Sequence, residues 1–443
     1  MSKKTRRVPS FKSLKSRYDE IAPVGTKHLL IVSSPAPSAA LASALICKAR
    51  LDSNSLFHVT TSEPVLDIDS VNELRKTYEK AAMLLVGIDV VGGKRLRKGK
   101  SYPILIGGES DSEHAMSLTI GTRETVAAAA YAYVASSSDD ISDSEYLQLA
   151  AAGSLVDSYP NPQVKGASME LVESAKKKNL IEEHKGFRLF GVNFMPLNEV
   201  LTYSIRPYLQ SLSGVTDACD KLCTDADIPF SKFRMPLSAL SNDEAQRLNK
   251  YLLPMLEPET IPYALGLDFI LMEESEDSPA RLLSGIKALG EAAWSFGESG
   301  ASAAVWMGDR ARILRGLLDS YMTYTREVIS GVEEAINTIS KTTIPEVLGA
   351  LTKIPLKSIR KEALADVGRI LIESGKVETD VIMLTCKDAL GAIWKSNTKS
   401  LQEVIVFLRG EKLEPISTSS QSIGFSVAPE QNEEILQVLQ KLW

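Results

Sequence analysis

The stretch LLIVSSPAPSAALASALI (residues 29–46) decides the fold class of this chain of 443 residues. The run HLLIVS (28–33) is short and apolar, which is typical of a buried strand. Alanine and leucine then recur from Ser38 to Arg50, which predicts a helix. The stretch therefore predicts a strand followed at once by a helix.

The same alternation continues toward the carboxyl terminus. Strands are predicted at Leu56–Thr61 and Met83–Asp89, and Ser70 with Glu73 forms a capping box for a helix between them. Two more strands and two more helices are predicted at 102–106, 116–120, 123–135 and 142–157. This order favours an α/β fold in which helices cover both faces of a mostly parallel sheet.

Proline, glycine and capping residues divide the rest of the chain. YPNPQVKG (159–166) predicts a boundary, and the region after it is mainly helical, with one helix capped by Ser241 and Glu244. Strand candidates at Val381–Thr385 and Glu403–Leu408 and a helix at Asn432–Leu442 predict a second, smaller α/β unit. The predicted parts are a basic flexible arm, an α/β domain, a helical connecting region and a C-terminal domain, at 1–24, 25–160, 161–345 and 346–443.

The composition is that of a globular protein, with 44% hydrophobic and 24% charged residues. A net charge of -6 argues against coating of duplex DNA through overall charge. The longest apolar stretches, such as 127–135 and 150–156, are far shorter than the roughly 20 residues that span a bilayer. No apolar segment of signal-peptide type follows the basic start, so we expect a cytoplasmic protein with no membrane span.

The four cysteines have no spacing typical of a zinc ribbon or a disulfide framework, and we expect them to be buried apolar side chains. The four histidines are scattered along the chain at His28, His58, His114 and His184. Hydrolysis with two metal ions needs acids and histidines just after the strand ends, but the first strand is followed by SSPAPSA (33–39). The loop has no glycine and two prolines, so it is also a poor phosphate cradle. We therefore expect neither a metal nor a cofactor.

In its arrangement of strand, loop and helix, the stretch 29–46 resembles the first motif of the DHH phosphoesterases, in which a strand ends in His-x-Asp-x-Asp-Gly. Ser34 stands where that family has the histidine, and Ala36 and Ser38 stand where it has aspartates. MLLVGID (83–89) resembles the second motif and keeps its aspartate as Asp89.

Two further segments resemble later motifs of the family. PILIGGES (103–110) occupies the place of the Asp-His-His motif, with Gly107, Gly108 and Glu109 as the counterparts. YLQLAAAGSLVDS (146–158) is similar to Leu-Ala-x-x-Gly-Thr-x-x-Asp and retains Asp157. The resemblance implies a DHH-type domain whose metal ligands are lost.

The resemblance extends over most of the chain. Segments 204–214, 240–252 and 288–309 are similar to archaeal RecJ-like proteins, and 423–439 resembles the end of the DHH-associated C-terminal domain. The glycine-rich signature with a histidine that precedes this end in the family is replaced by Ser417–Ser422. The resemblance implies a non-catalytic, chromosome-associated partner that binds the GINS complex and activates the MCM helicase, with contact to single-stranded DNA along the former nuclease groove.

The residues themselves leave alternatives open. Asp89 and Asp157 are either remains of a metal site or caps of backbone amides. A basic run in a glycine-containing loop either binds phosphates or is a solvated loop: Lys94, Arg95, Arg97, Lys98 and Lys100. A divergent metal-dependent phosphoesterase or nuclease, and a module that senses a nucleotide, are the alternative functions.

Overall fold

The computed structural model describes residues 9–21, 28–92, 103–110, 126–137, 144–161, 163–258, 260–341, 346–348, 351–357, 359–395, 397–419, 421–426 and 431–443. The chain divides into two units. The first unit comprises residues 1–184, 269–275 and 298–317, and the second comprises 185–268, 276–297 and 318–443.

The elements of the amino-terminal part alternate between helices and strands. In chain order they are α1 (Phe11–Ile21), β1 (His28–Ser33), α2 (Pro37–Asp52), β2 (Leu56–Thr61), β3 (Val65–Asp67), α3 (Ile68–Thr77), β4 (Ala82–Val86), β5 (Asp89–Val91), β6 (Ile104–Ile106), α4 (Val126–Ser137), α5 (Ser144–Val156), α6 (Gly166–Lys177) and β7 (Ile181–Phe187).

The middle part is mainly helical, and strands return toward the carboxyl end. The middle elements are α7 (Leu197–Thr202), α8 (Thr216–Asp225), α9 (Phe230–Phe233), α10 (Asn242–Leu252), α11 (Ile261–Ala264), β8 (Leu265–Leu271), α12 (Leu283–Ser295), α13 (Ser299–Trp306) and α14 (Arg312–Lys341). The last elements are β9 (Glu346–Leu348), β10 (Leu351–Pro355), α15 (Leu364–Glu373), β11 (Val381–Cys386), β12 (Ala389–Trp394), α16 (Leu401–Gly410), β13 (Ser417–Ser419), β14 (Ser422–Ser426) and α17 (Asn432–Leu442).

A parallel sheet forms the centre of the first unit, with its described strands in the order β2-β1-β4-β6. On one face, Leu30 and Met83 pack with Val71 of α3 in one apolar cluster. Side chains alternate along a strand, so Leu29 and Leu84 point to the opposite face, where they are also buried. Helices α2 and α4 pack on this second face. Helices on both faces of a mostly parallel sheet confirm the predicted fold class.

Helix α2 is enclosed along most of its length. Every residue from Pro37 to Cys47 is buried, and most of these residues are alanine, serine or leucine. Their small side chains let α4, α5 and α13 pack around the helix. Helix α13 lies about 250 positions after α2 in the chain.

Three predictions for this unit differ from the structure or lie outside it. Helix α3 begins at Ile68 rather than near Ser70, because the carboxylate of Asp67 accepts the amide N–H of Ser70 at 2.6 Å and caps the helix. The predicted strand at 83–89 ends at Val86, because Gly87 takes a left-handed conformation with φ +64°. The predicted strand at 116–120 lies outside the described residues.

A second sheet lies in the second unit, and this sheet confirms the predicted C-terminal α/β unit. Its described strands have the order β13-β14-β12-β11-β10-β9, and all neighbours are antiparallel except β10 and β11. Helix α15 packs closely on β12, since a Cβ added at Gly368 would lie 2.6 Å from Cδ1 of Ile393. Strands β11 and β12 are buried at every position.

In the second unit, one predicted helix start and the predicted last helix are confirmed, and one predicted strand is wrong. The capping box of Ser241 and Glu244 at the start of α10 is confirmed, and α17 has the predicted bounds. The predicted strand at Glu403–Leu408 is wrong, because these residues belong to α16. A capping box of Ser400 and Glu403 starts this helix.

The two units divide the chain differently from the boundaries predicted near residues 160 and 345. Helix α6 packs against α5 and α1, and the first unit continues to His184. The helical segment 185–268 and the C-terminal sheet belong to the same unit. Within the described residues, we find no helix long and apolar enough to cross a membrane.

A buried ionic cluster connects α12, α14 and α15 inside the second unit. The guanidinium of Arg206 lies 2.6 Å from carboxylate oxygens of both Glu291 and Asp366. Asp366 also accepts a hydrogen bond from Arg369 at 3.0 Å and one from the hydroxyl of Tyr324 at 2.7 Å. Burial raises the pKa of Asp366, but the charges of Arg206 and Arg369 lower it more, to about 2. The cluster therefore holds an ionised carboxylate in the interior.

Candidate functional site

Three strands of the parallel sheet end side by side and define the candidate site. The amide N–H of Ser34, directly after β1, donates to the carbonyl of Val86 at the end of β4 at 2.8 Å. The amide N–H of Gly87 then donates to the carbonyl of Ile106 at the end of β6 at 2.9 Å. In open α/β sheets, ligands bind at this carboxyl edge. The structure thus brings the first three predicted motifs together, with the second between the other two.

The loop after β1 is held by the side chain of Ser33, the last residue of the strand. The hydroxyl of Ser33 donates to the carbonyl of Ser34 at 2.9 Å and to that of Ala39 at 3.3 Å. Ser34 and Ser38 are both 1% exposed, and Ala36 is the N-cap of α2 without a side-chain hydrogen bond to the helix. Two buried hydroxyls and a methyl group supply neither the carboxylates nor the imidazole of a two-metal centre.

Asp89 is bound to the turn after β6. Its carboxylate accepts the amide N–H of Glu109 at 2.8 Å, and the carbonyl of Glu109 accepts the amide N–H of Val90 at 2.8 Å. The amide N–H of Asp89 donates to the carbonyl of Pro64 at 2.9 Å. The carboxylate therefore fixes the backbone of this turn, in agreement with the interpretation of Asp89 as a cap of backbone amides.

The backbone of this turn occupies the space that side chains at its glycines would need. A Cβ added at Gly108 would overlap the carbonyl oxygen of Ile88 and lie 2.8 Å from the carbonyl carbon. Gly107 has φ +70°, and a Cβ there would lie 2.6 Å from Cα of Val126. Both distances are shorter than side-chain contacts allow, so the turn has no room for a side chain at Gly107 or Gly108, the positions aligned with the aspartate and the first histidine of the DHH motif.

Gly87 is a residue of the site that the sequence analysis did not single out. It has φ +64°, and a Cβ at this position would lie 2.9 Å from both Oγ of Ser34 and Cβ of Ala39. The sequence did carry a signal for this residue, because a glycine directly after a buried strand often marks a close approach of two backbones. The left-handed turn at Gly87 lets β4 end against the loop after β1.

Asp157 lies at the same edge of the unit as the strand ends, because α5 runs antiparallel to α2. The amino end of α5 contacts the carboxyl end of α2, because Glu145 pairs with Lys48 at 2.8 Å. Gly153 near the carboxyl end of α5 lies against Leu41, in the second turn of α2. The two helices are therefore antiparallel, and Asp157 follows α5 as an exposed residue.

The remaining predicted site residues do not complete a metal centre in the described part of the chain. The basic run of Lys94, Arg95, Arg97, Lys98 and Lys100 lies outside the described residues, as does His114. His28 begins β1 at the opposite edge of the sheet, and its ring centroid lies 4.9 Å from that of His58 in β2. Among the described residues, no group of three or more histidine, cysteine, aspartate or glutamate side chains is arranged to hold a metal.

All four cysteines are buried free thiols, as predicted from their spacing. Burial raises the pKa of Cys47 to about 12 and that of Cys219 to about 11. Thiols with such pKa values stay protonated at neutral pH and are weak nucleophiles and metal ligands. The cysteines therefore do not substitute for the missing ligands.

Sequence comparison alone does not assign the chain, since no family model matches it and no curated protein is significantly similar to it. Structural comparison does find related folds. CDC45 from Entamoeba histolytica superposes with a TM-score of 0.62 at 9% identity, over 97% of this chain and 97% of that chain. The chain has a RecJ-like fold.

RecJ in complex with Mn²⁺ from Thermus thermophilus superposes with a TM-score of 0.50 at 10% identity. The match covers 97% of this chain and 54% of that RecJ, so this chain spans about half the length of the longer protein. The two likenesses confirm the RecJ-like arrangement of a parallel sheet domain and a C-terminal sheet domain. At 9–10% identity, the two superpositions establish the fold. The chemistry of the site must be inferred from its own residues.

Proposed function

We propose that this chain is a non-catalytic, RecJ-like subunit of an archaeal replicative helicase assembly, which binds the GINS complex and activates MCM. The proposal has two parts, the loss of catalysis and the identity of the partners. Different observations support them, and different experiments test them.

The observation that carries the first part is the closed turn at Gly107 and Gly108. A two-metal phosphoesterase needs carboxylate and imidazole ligands at the strand ends. Here the turn backbone lies against Ile88 and Val126 in the space of those ligands, and its position is fixed by the carboxylate of Asp89. The loss therefore involves the shape of the backbone as well as the side chains.

A nuclease assay tests this part. The matched variant is Asp89→Asn, because the amide oxygen can still accept the N–H of Glu109 whereas the charge of a metal ligand is removed. Asp157→Ala removes the second candidate acid. We expect no magnesium- or manganese-dependent cleavage of single-stranded DNA by the unmodified chain. Cleavage that disappears in the double variant would establish a divergent phosphoesterase instead.

The second part is supported by the resemblance of segments 204–214, 240–252 and 288–309 to archaeal RecJ-like proteins, and by the RecJ-like fold shared with CDC45. A RecJ-like protein that does not catalyse a reaction can still bind other proteins through its surface. We also propose contact with single-stranded DNA through the basic run at 94–100. Because phosphate contacts release counterions, such binding by the isolated chain is expected to be weak and to decrease with salt.

Affinity purification of the tagged chain from its native cell tests the partners. We expect GINS and MCM subunits to be recovered with the chain and to be identified by mass spectrometry. Recovery of neither complex would contradict the helicase assignment. The RecJ-like fold and the absence of catalysis are independent of that result.

A further inference from the structure

Strand β2 is an edge of the parallel sheet, and among the described strands it pairs only with β1. It is six residues long, with the sequence LFHVTT. Edge strands present a row of backbone N–H and C=O groups that can pair with another chain.

The direction of these groups follows from one hydrogen bond next to the strand. The amide N–H of Ser62 donates to the carbonyl of Ser33 at 2.9 Å, so Ser62 directs its backbone groups toward β1. Successive residues of a strand direct their backbone groups to opposite sides. Phe57, Val59 and Thr61 therefore direct their N–H and C=O groups away from β1.

Within the described part of the chain, no backbone group bonds to these outward groups. The hydroxyl of Thr60 donates a long hydrogen bond of 3.5 Å to the outward carbonyl of Thr61. Among the described residues, the outward backbone groups of Phe57 and Val59 thus have no hydrogen-bond partner.

The side chains of β2 do not protect this edge. Proteins usually block edge strands with charged residues, proline or a bulge. This strand has no charged residue and no proline, and it pairs with β1 in unbroken register from His28 opposite Leu56 to Ser33 opposite Thr61. Leu56 is 69% exposed and Val59 is 48% exposed. Because side chains alternate, these two apolar groups lie on opposite faces of the sheet at its rim.

We propose that the edge of β2 binds an extended, uncharged segment of another protein, which adds a fifth strand beside β2. Backbone pairing with Phe57, Val59 and Thr61 would provide the affinity, and apolar side chains of the segment would cover Leu56 and Val59. The proposal goes beyond the proposed function, since it concerns the kind of segment that binds and holds for a partner of any identity.

A peptide segment fits this edge better than a second copy of the chain. A stable protein interface uses about 20–30 residues on each side, whereas the open edge has six. Antiparallel self-pairing centred on Val59 would also place Leu56 opposite Ser62 and His58 opposite Thr60. The most exposed apolar side chain of the strand would then face a serine, so the edge is not complementary to itself.

The test is a binding measurement on the full chain with a synthetic strand. The probe is a fluorescein-labelled peptide, Lys-Val-Thr-Val-Thr-Val-Thr-Lys, in which the uncharged six-residue strand lies between two lysines that keep it soluble. Its binding is followed by fluorescence anisotropy. Val59→Pro removes the central outward N–H without removing a bond to β1, and proline is tolerated at such edge positions. Val59→Ala is the matched control, because it shortens the same side chain but keeps the N–H. We expect at least tenfold weaker binding for Val59→Pro and no more than a threefold change for Val59→Ala.

A second probe keeps the test valid if Val59→Pro fails to fold. The same peptide methylated at every backbone nitrogen cannot pair as a strand, and we expect it not to bind the unmodified chain. The proposal is wrong if neither peptide binds, if both bind equally, or if the two variants bind alike. Light scattering that shows a dimer of the unmodified chain and a monomer of Val59→Pro would assign the edge to a second copy instead. None of these results depends on the nuclease assay or on the identity of copurified proteins.

Discussion

Replacing Gly108 with alanine tests whether the turn after β6 has room for a side chain. The added Cβ would overlap the carbonyl oxygen of Ile88, so the turn must move by about 1 Å or more. Overpacking of this kind costs about 1–3 kcal/mol. The movement also breaks the 2.8 Å hydrogen bond from the N–H of Glu109 to the carboxylate of Asp89, at a further cost of about 1.5–3 kcal/mol.

Together these effects lower the free energy of unfolding of the first unit by about 4 kcal/mol. For a cooperative unit of roughly 200 residues, this corresponds to a decrease in Tm of about 10 °C. Thermal unfolding followed by circular dichroism measures the change. The matched control is Gly300→Ala in α13, where an added Cβ has no neighbour within 4 Å and alanine favours the helix.

We expect Gly300→Ala to melt at the same temperature as the unmodified chain or slightly above it. If Gly108→Ala also melted within about 1 °C of the unmodified chain, the turn would have room for a side chain. The closed turn would then no longer support the proposed absence of catalysis. The proposed absence of catalysis would then rest on the side chains alone.

Three further results are expected. Asp366→Asn leaves two partly buried arginines, Arg206 and Arg369, without their shared carboxylate, and it should reduce the free energy of unfolding by about 3–5 kcal/mol in urea titrations. Glu373→Gln, at the exposed end of the same cluster, should cost less than about 1 kcal/mol. The pKa of Asp366 in the folded chain is about 2, which lies below its ordinary value. The ionised carboxylate therefore contributes about 2 kcal/mol to the free energy of unfolding above about pH 4, and this contribution is lost as the pH falls toward 2. Unfolding measured from about pH 5 to 2 should show this loss, and Asp366→Asn should show a smaller one. Restoring the side chains of the first motif should not produce manganese-dependent nuclease activity, because the turn after β6 stays closed; the triple variant is Ser34→His, Ala36→Asp and Ser38→Asp.

The local part of the fold could be predicted from the sequence. Strand β1, helix α2 and helix α17 were predicted because each has its own apolar pattern. The residues that mark where each element begins and ends lie within a few positions of it. The helix α16 shows where such patterns are ambiguous. Its apolar run at 403–408 suits a strand, and the decisive signal was the capping box of Ser400 and Glu403 just before it.

The candidate site was predictable in its composition but not in its shape. The replacements at Ser34, Ala36 and Ser38 can be recognised in the sequence once the motif is aligned. The closure of the turn depends on the contacts of Gly107 and Gly108 with Val126 and Ile88, which lie about 20 residues away on either side. No local pattern encodes contacts at this separation, because they arise only when neighbouring strands and helices have assembled.

The enclosure of α2 has a consequence for synthesis and for the design of fragments. Helix α13, one of the elements that pack around α2, is made of residues 299–306. A ribosome must therefore complete these residues before the small side chains of α2 are shielded on all sides. A fragment that ends near residue 160 would contain every strand of the parallel sheet described here, yet it would leave one side of its central helix in water and would be prone to association.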